Sequence, residues 1–176
     1  MKQEIFGLSL TELQIRLAEM GLKRFRAKQI FSWLYRKCVF DFSAMTNLSL
    51  AERDTLAEYF SILPGEIICL RQLDSADGLT QKLLLQLLDG NTIETVLMHH
   101  DYGYSVCVSS QVGCDMHCAF CASGLNGAVR NLTQAEILAQ VYFFNARLAA
   151  AGQRVSRVVV MGSGEPMLNF DLSLIH

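Results

Sequence analysis

The stretch YSVCVSSQVGCDMHCAFCASG, Tyr104–Gly124, decides the reading of the chain, because a strand-like run leads straight into a loop that holds three cysteines. Tyr104 to Ser109 has the composition of a strand. Beyond the loop, TQAE at Thr133 to Glu136 is a capping box for a helix through Leu148, and Val155 to Met161 reads as a buried strand. Strand, long loop, helix, strand is a βαβ unit, which builds parallel sheets. The loops after its two strands open on the same end of the sheet, the end where α/β folds hold their active sites. The cysteine loop and the second loop, GSGEP at Gly162 to Pro166, are therefore expected to face one pocket.

Towards the N-terminus the pattern changes. SLTE at Ser9 to Glu12 and SLAE at Ser49 to Glu52 are capping boxes, the first opening a short helix through Leu13, Leu17 and Met20 and the second a helix running towards Phe60. Between them FRAKQIFSWLYRK, Phe25 to Lys37, keeps Ile30, Trp33 and Leu34 at helical spacing, so a continuous amphipathic helix is expected. Pro64-Gly65 then breaks the chain. Glu66 to Leu73, Thr80 to Leu88 and Asn91 to Met98 are strand-like, and Asp89-Gly90 predicts a two-residue hairpin loop. The expected organisation is a helical accessory domain over residues 1–63, an antiparallel β bridge over 64–100 and an α/β core over 101–176.

At 176 residues, with 51% apolar residues, the chain can pack one ordinary domain or two small ones, which excludes disorder. A net charge of -2 gives no global basic field, so any contact with nucleic acid has to be local. The N-terminal MKQEIFGLSLTELQIRL mixes charge into its apolar residues, unlike a signal peptide, and no apolar run reaches membrane-spanning length. A cytoplasmic protein without a membrane partner is the expectation. In a reducing compartment close-set cysteines are more often ligands or catalysts than disulfides.

Cys114, Cys118 and Cys121 form a Cys-x3-Cys-x2-Cys set, one thiolate fewer than closed zinc sites or four-cysteine iron–sulfur sites use. A cubane cluster on three cysteines would leave one iron free to bind a substrate or cofactor. Zinc with His117 as the fourth donor is the other arrangement the spacing allows, and buried structural thiols are the third.

The pattern Cys114-x3-Cys118-Ala119-Phe120-Cys121 resembles the signature of radical S-adenosylmethionine (SAM) enzymes. More closely, CVSSQVGCDMHCAFCASGLNGAVRNLTQAEI, MGSGEPMLN and the ETV of Glu94 to Val96 resemble the RlmN/Cfr family of radical SAM RNA methyltransferases, and the resemblance extends over essentially the whole chain. It implies an α/β fold in which the helical domain and β-hairpin bridge precede the first βαβ unit of a partial radical SAM (β/α) barrel. It implies a [4Fe-4S] cluster on Cys114, Cys118 and Cys121, with SAM chelated at the open iron and contacted by Phe120, Gly164 and Glu165. The substrates implied are 23S rRNA and tRNA, methylated at carbon 2 of an adenine, with an electron donor such as flavodoxin and no obligate protein partner. Carbon 8, as in Cfr-type enzymes, is the alternative, and a non-enzymatic zinc or RNA-binding module is another.

The resemblance further implies that Cys107 is the second thiol and Glu94 the proton acceptor that resolve a protein–RNA adduct. By themselves Cys107 reads as a small buried strand residue and Glu94 as an outward strand carboxylate. The family's methyl-carrying cysteine lies near the C-terminus, and no cysteine follows Cys121, so the sequence as given is expected to be an inactive fragment. Cys38 and Cys69 are expected to be structural. Lys23, Arg24, Arg26, Lys28, Arg36 and Lys37, interleaved with Phe31, Trp33 and Tyr35, suit an RNA-contacting face.

Overall fold

The computed structural model describes residues 2–170, so residues 171–176 at the end of the expected core lie outside the described residues. The chain divides into two compact units, residues 1–66 and 67–176.

The first unit is helical. It comprises β1 (Gln3–Glu4), α1 (Leu10–Glu19), α2 (Arg26–Phe31), α3 (Leu50–Tyr59), β2 (Phe60–Ser61) and α4 (Leu63–Glu66). Both capping boxes form: the Ser9 and Ser49 hydroxyls accept from the Glu12 and Glu52 amides, while each glutamate accepts from its serine's N–H. The core gathers Ile5, Phe6, Leu13, Leu17, Ile30, Leu34, Met45 and Leu56, all fully buried. The expected continuous helix over Phe25–Lys37 is not regular: α2 ends at Phe31 and Ser32–Arg36 is a π-helix, closed by the Lys37 N–H on the Ser32 carbonyl at 3.0 Å. The wider turn accompanies Tyr35, which stacks on Phe6 at 5.0 Å and accepts the Gly7 N–H at 2.8 Å. Of the basic residues, Arg26 is committed to Glu52 at 2.8 Å, whereas Lys23, Arg24, Lys28, Arg36 and Lys37 are exposed.

The second unit is built on a five-stranded sheet of order β3-β4-β5-β6-β9, from β3 (Ile68–Asp74), β4 (Thr80–Gln86), β5 (Thr92–His100), β6 (Gly103–Cys107) and β9 (Val155–Val159). Strands β3 to β6 pair antiparallel and β6 pairs with β9 in parallel. Helix α5 (Gln134–Leu148) makes the crossover between them, opened by the Thr133–Glu136 capping box. This is the expected α/β class. A short ribbon, β7 (Gln111–Gly113) with β8 (Ala128–Asn131), brackets the cysteine loop.

The β4–β5 hairpin differs from expectation by one residue. The Leu87 N–H bonds to the Asn91 carbonyl at 2.8 Å and the Gly90 N–H to the Leu87 carbonyl at 3.0 Å, so the loop holds three residues, with Gly90 at φ 83°. This is a type I turn followed by a left-handed bulge residue, a conformation glycine adopts without steric cost. Leu84 then faces Glu94, and Lys82 faces Val96.

Candidate active site

The register sorts the sheet into two faces. Across β4, β5, β6 and β9 one row runs Lys82, Val96, Cys107, Val159, with Leu84 and Glu94 in the adjacent row on the same side. Helix α5 covers the other side, where Gln72 and Gln81 accept hydrogen bonds from Arg147. The uncovered face floors a cavity of about 690 Å³ whose walls include Leu84, Glu94, Val96, Cys107, Cys121, Ser123, Met161, Gly162 and Ser163. The structure thus brings Glu94, Cys107 and Cys121 to one cavity together with the start of the second loop. Cys114, Cys118, Phe120, Gly164 and Glu165 are not among its lining residues.

The cysteine loop leaves the ribbon at Gly113, whose φ of 75° and contact with the Gly127 carbonyl exclude any side chain. The Cys114 N–H bonds to the Gly127 carbonyl at 3.2 Å, and the Asp115 carboxylate accepts the Ala128 N–H at 2.6 Å. Cys114 is buried, and Cys118 and Cys121 are exposed. Backbone and hydroxyl hydrogen bonds from Ser123, helped by the Gly124 N–H, hold the Cys121 thiol below its ordinary range. Burial pushes the Cys107 thiol up, against a weaker opposing hydrogen bond from the Met161 backbone.

Among the described residues, no three His, Cys, Asp or Glu side chains gather to hold one metal ion. A four-donor zinc site on Cys114, His117, Cys118 and Cys121 requires such convergence on one ion. A cubane makes a different demand, since each thiolate binds its own iron. Three thiols on one loop, one of them biased towards thiolate, match that donor chemistry.

Phe120 is 94% exposed and packs against little of the protein. Gly164, at φ 104°, is required by the protein itself: an added Cβ would lie 2.7 Å from the Gln111 backbone nitrogen and 2.6 Å from its Cβ. The Glu165 carboxylate accepts the Met167 N–H at 3.0 Å and caps the short turn Pro166–Asn169. Glu94 is paired with Lys82 at 2.9 Å.

Sequence reasoning missed the polar residues that align these parts. The Ser109 hydroxyl donates to the Glu94 carbonyl at 2.7 Å and accepts the Ser163 N–H at 2.9 Å, while Gln140 of α5 makes two hydrogen bonds with the Ser109 backbone. Gln111 accepts the Glu165 N–H at 2.8 Å. The only sequence signal was the polar triplet Ser109-Ser110-Gln111 at the exit of a buried strand.

Residues 3–62 match the family described as "Ribosomal RNA large subunit methyltransferase N-terminal domain". The chain is 51% identical to a "Probable dual-specificity RNA methyltransferase RlmN" of Spiroplasma citri, over 97% of this chain and 48% of the relative. It is 49% identical to one of Staphylococcus aureus (strain JH9), over 97% of this chain and 46% of the relative. A radical SAM methyltransferase from Sphaerobacter thermophilus superposes with a TM-score of 0.91 at 42% identity, over 98% of this chain and 50% of that one. The fold is that of a radical SAM methyltransferase over the segment it spans. Within that class the chain belongs, over the segment it spans, to the RlmN family. It spans about half the length of the curated relatives it matches.

Proposed function

We propose that this chain carries the front part of the active site of a cytoplasmic radical SAM RNA methyltransferase acting on carbon 2 of adenine in 23S rRNA and tRNA. The observation that carries it is the meeting of Glu94, Cys107 and Cys121 at one cavity beside the second loop. Cys114, Cys118 and Cys121 would hold the [4Fe-4S] cluster, and Phe120, Gly164 and Glu165 would border SAM. When bound, this pair supplies the one-electron cleavage and hydrogen abstraction that an electron-poor aromatic carbon requires. The reducing electron would come from a donor such as flavodoxin.

The chain's own residues account for the rest. Cys107 is held as a thiol by burial, in the form that can later give up its proton and attack as a thiolate. Glu94 stands one row away on the same face, half-exposed, as a carboxylate able to accept a proton from a substrate in the cavity. Ser109 fixes the strand carrying Glu94 to the loop carrying Gly162 and Ser163. The first unit, with its exposed basic residues, would serve as an accessory RNA contact, and the remaining barrel strands would come from sequence beyond this segment.

The test is anaerobic reconstitution with iron and sulfide, followed by electron paramagnetic resonance of the reduced sample before and after SAM. A cubane signal that changes on adding SAM, and is absent when Cys114, Cys118 or Cys121 is changed to Ala, is expected. Stoichiometric zinc without iron or sulfide would overturn the reading.

A further inference from the structure

We propose that Lys82 is a substrate-contacting residue: its ammonium is held by Glu94 in the free protein and passes to a backbone phosphate when RNA enters, freeing the Glu94 carboxylate. The inference rests on the RNA methyltransferase reading above and assigns that site a residue of its own.

Position comes first. Lys82 shares its row with Cys107 across Val96, and its Nζ lies 2.9 Å from Oε1 of Glu94 on the diagonal. It therefore stands at the two residues assigned to resolve the adduct, on the face that floors the cavity.

Charge comes second. Among the described residues that line the cavity, Glu94 is the single acidic or basic side chain. A lone carboxylate there would repel a polyanion, so RNA entry calls for a nearby cation. Of the arginines of this unit, Arg130 is committed to Glu136 and Asp89, Arg147 to Gln72, Gln81 and the Phe143 ring, and Arg157 to the Tyr102 ring, while the exposed Arg71, opposite Leu84 on β3, lies one strand further from Glu94 than Lys82 does. Lys82 is held by one carboxylate.

Exchange comes third. The Lys82 and Glu94 side chains are 42% and 54% exposed, so their mutual attraction is screened and weak. A phosphate offers the same ammonium a charge-assisted partner and releases a condensed counterion on binding. The swap needs no rearrangement of the sheet.

The test uses the 176-residue chain and a fluorescently labelled anticodon stem–loop RNA, with binding followed by anisotropy over a range of potassium chloride concentrations. Lys82→Gln should weaken binding several-fold and lower the slope of log affinity against log salt by about 0.7–0.9, and Lys82→Arg should restore the slope. Glu94→Gln should tighten binding more when Lys82 is present, where it also frees the ammonium, than when residue 82 is Gln, where it only removes a repelling charge. Wild-type affinity and slope in Lys82→Gln, the same tightening by Glu94→Gln in both backgrounds, or no binding by the wild type would each overturn the assignment. Iron and sulfide content of the same preparations separates the two readings. A cluster-bearing chain that ignores Lys82 overturns this inference alone, whereas Lys82-dependent RNA binding by a chain that holds stoichiometric zinc without iron or sulfide overturns the radical enzyme and leaves the contact standing.

Discussion

The loop after β6 and the loop after β9 leave the same end of a parallel pair, yet the first is held at its base and the second along its whole length. The cysteine loop is closed where Cys114 meets Gly127 and Asp115 meets Ala128, while Met116, Phe120 and Leu125 along it are exposed apolar side chains. In the second loop the Gly162 N–H bonds to Val108, the Ser163 N–H to Ser109 and the Glu165 N–H to Gln111, and the Ser163 carbonyl accepts from Ser110 and Gln111. The contrast separates two sources of order. The second loop takes its shape from the strand end it bonds to, whereas the interior of the first has little protein around it.

Substitution should expose that difference most strongly at Gly164. Alanine there meets backbone and side-chain atoms of Gln111 and must adopt φ near 104°. Left-handed strain and overpacking, each about 1–3 kcal/mol, add to an expected loss of about 2–6 kcal/mol in Gly164→Ala, read as a lowered Tm. Leu125→Ala, at a residue 80% exposed in the cysteine loop, should stay within about 0.5 kcal/mol of wild type. Comparable losses in the two variants would break the comparison. Ser109→Ala comes next: it leaves the Ser163 N–H and the Glu94 carbonyl without their shared hydroxyl, at a cost of about 1–3 kcal/mol in a denaturant titration.

Much of this arrangement was legible in the sequence, because its signals are local. The three capping boxes at Ser9, Ser49 and Thr133 fix helix starts through contacts three residues apart, and all three form. The place of the three cysteines, in a loop between a strand and a helix, was legible because the strand and capping signals that flank it are local too. The hairpin register was not. A two-residue loop at Asp89-Gly90 pairs Leu85 with Glu94 and sends Lys82 to the helix-covered face, whereas the three-residue loop pairs Leu84 with Glu94 and puts Lys82 beside it. One residue of slip moves every side chain to the other face, and the choice depends on whether Gly90 continues a turn or forms a bulge. Ser109 and Gln111 were opaque for a different reason: their partners in the second loop are 54 residues away, and serine and glutamine carry no pattern that announces such a contact. The π-helical turn at Ser32–Arg36 was hidden likewise, since helical spacing does not distinguish it from an α-helix over so few residues.

The thiols offer the finest test of the two kinds of order. In the reduced, metal-free chain Cys121 is held below the ordinary thiol range by Ser123 and Gly124, and Cys107 above it by burial. Alkylation proceeds through the thiolate, so near neutral pH Cys121 should be labelled well ahead of Cys107 by mass spectrometry. The ratio of the two rates should be greatest at low pH and shrink as pH rises, because Cys121 saturates first while the thiolate fraction of Cys107 is still climbing. Access alone would give a ratio independent of pH, so a flat ratio would mean that hydrogen bonding in the loop contributes nothing to thiolate formation. Ser123→Ala sharpens the point: it removes the hydroxyl donor but keeps the backbone N–H, so the Cys121 profile should move part of the way towards an ordinary thiol while that of Cys107 stays in place. A shift in both would show that the loop and the strand are coupled through the cavity, and that the cysteine loop is held by more than its base.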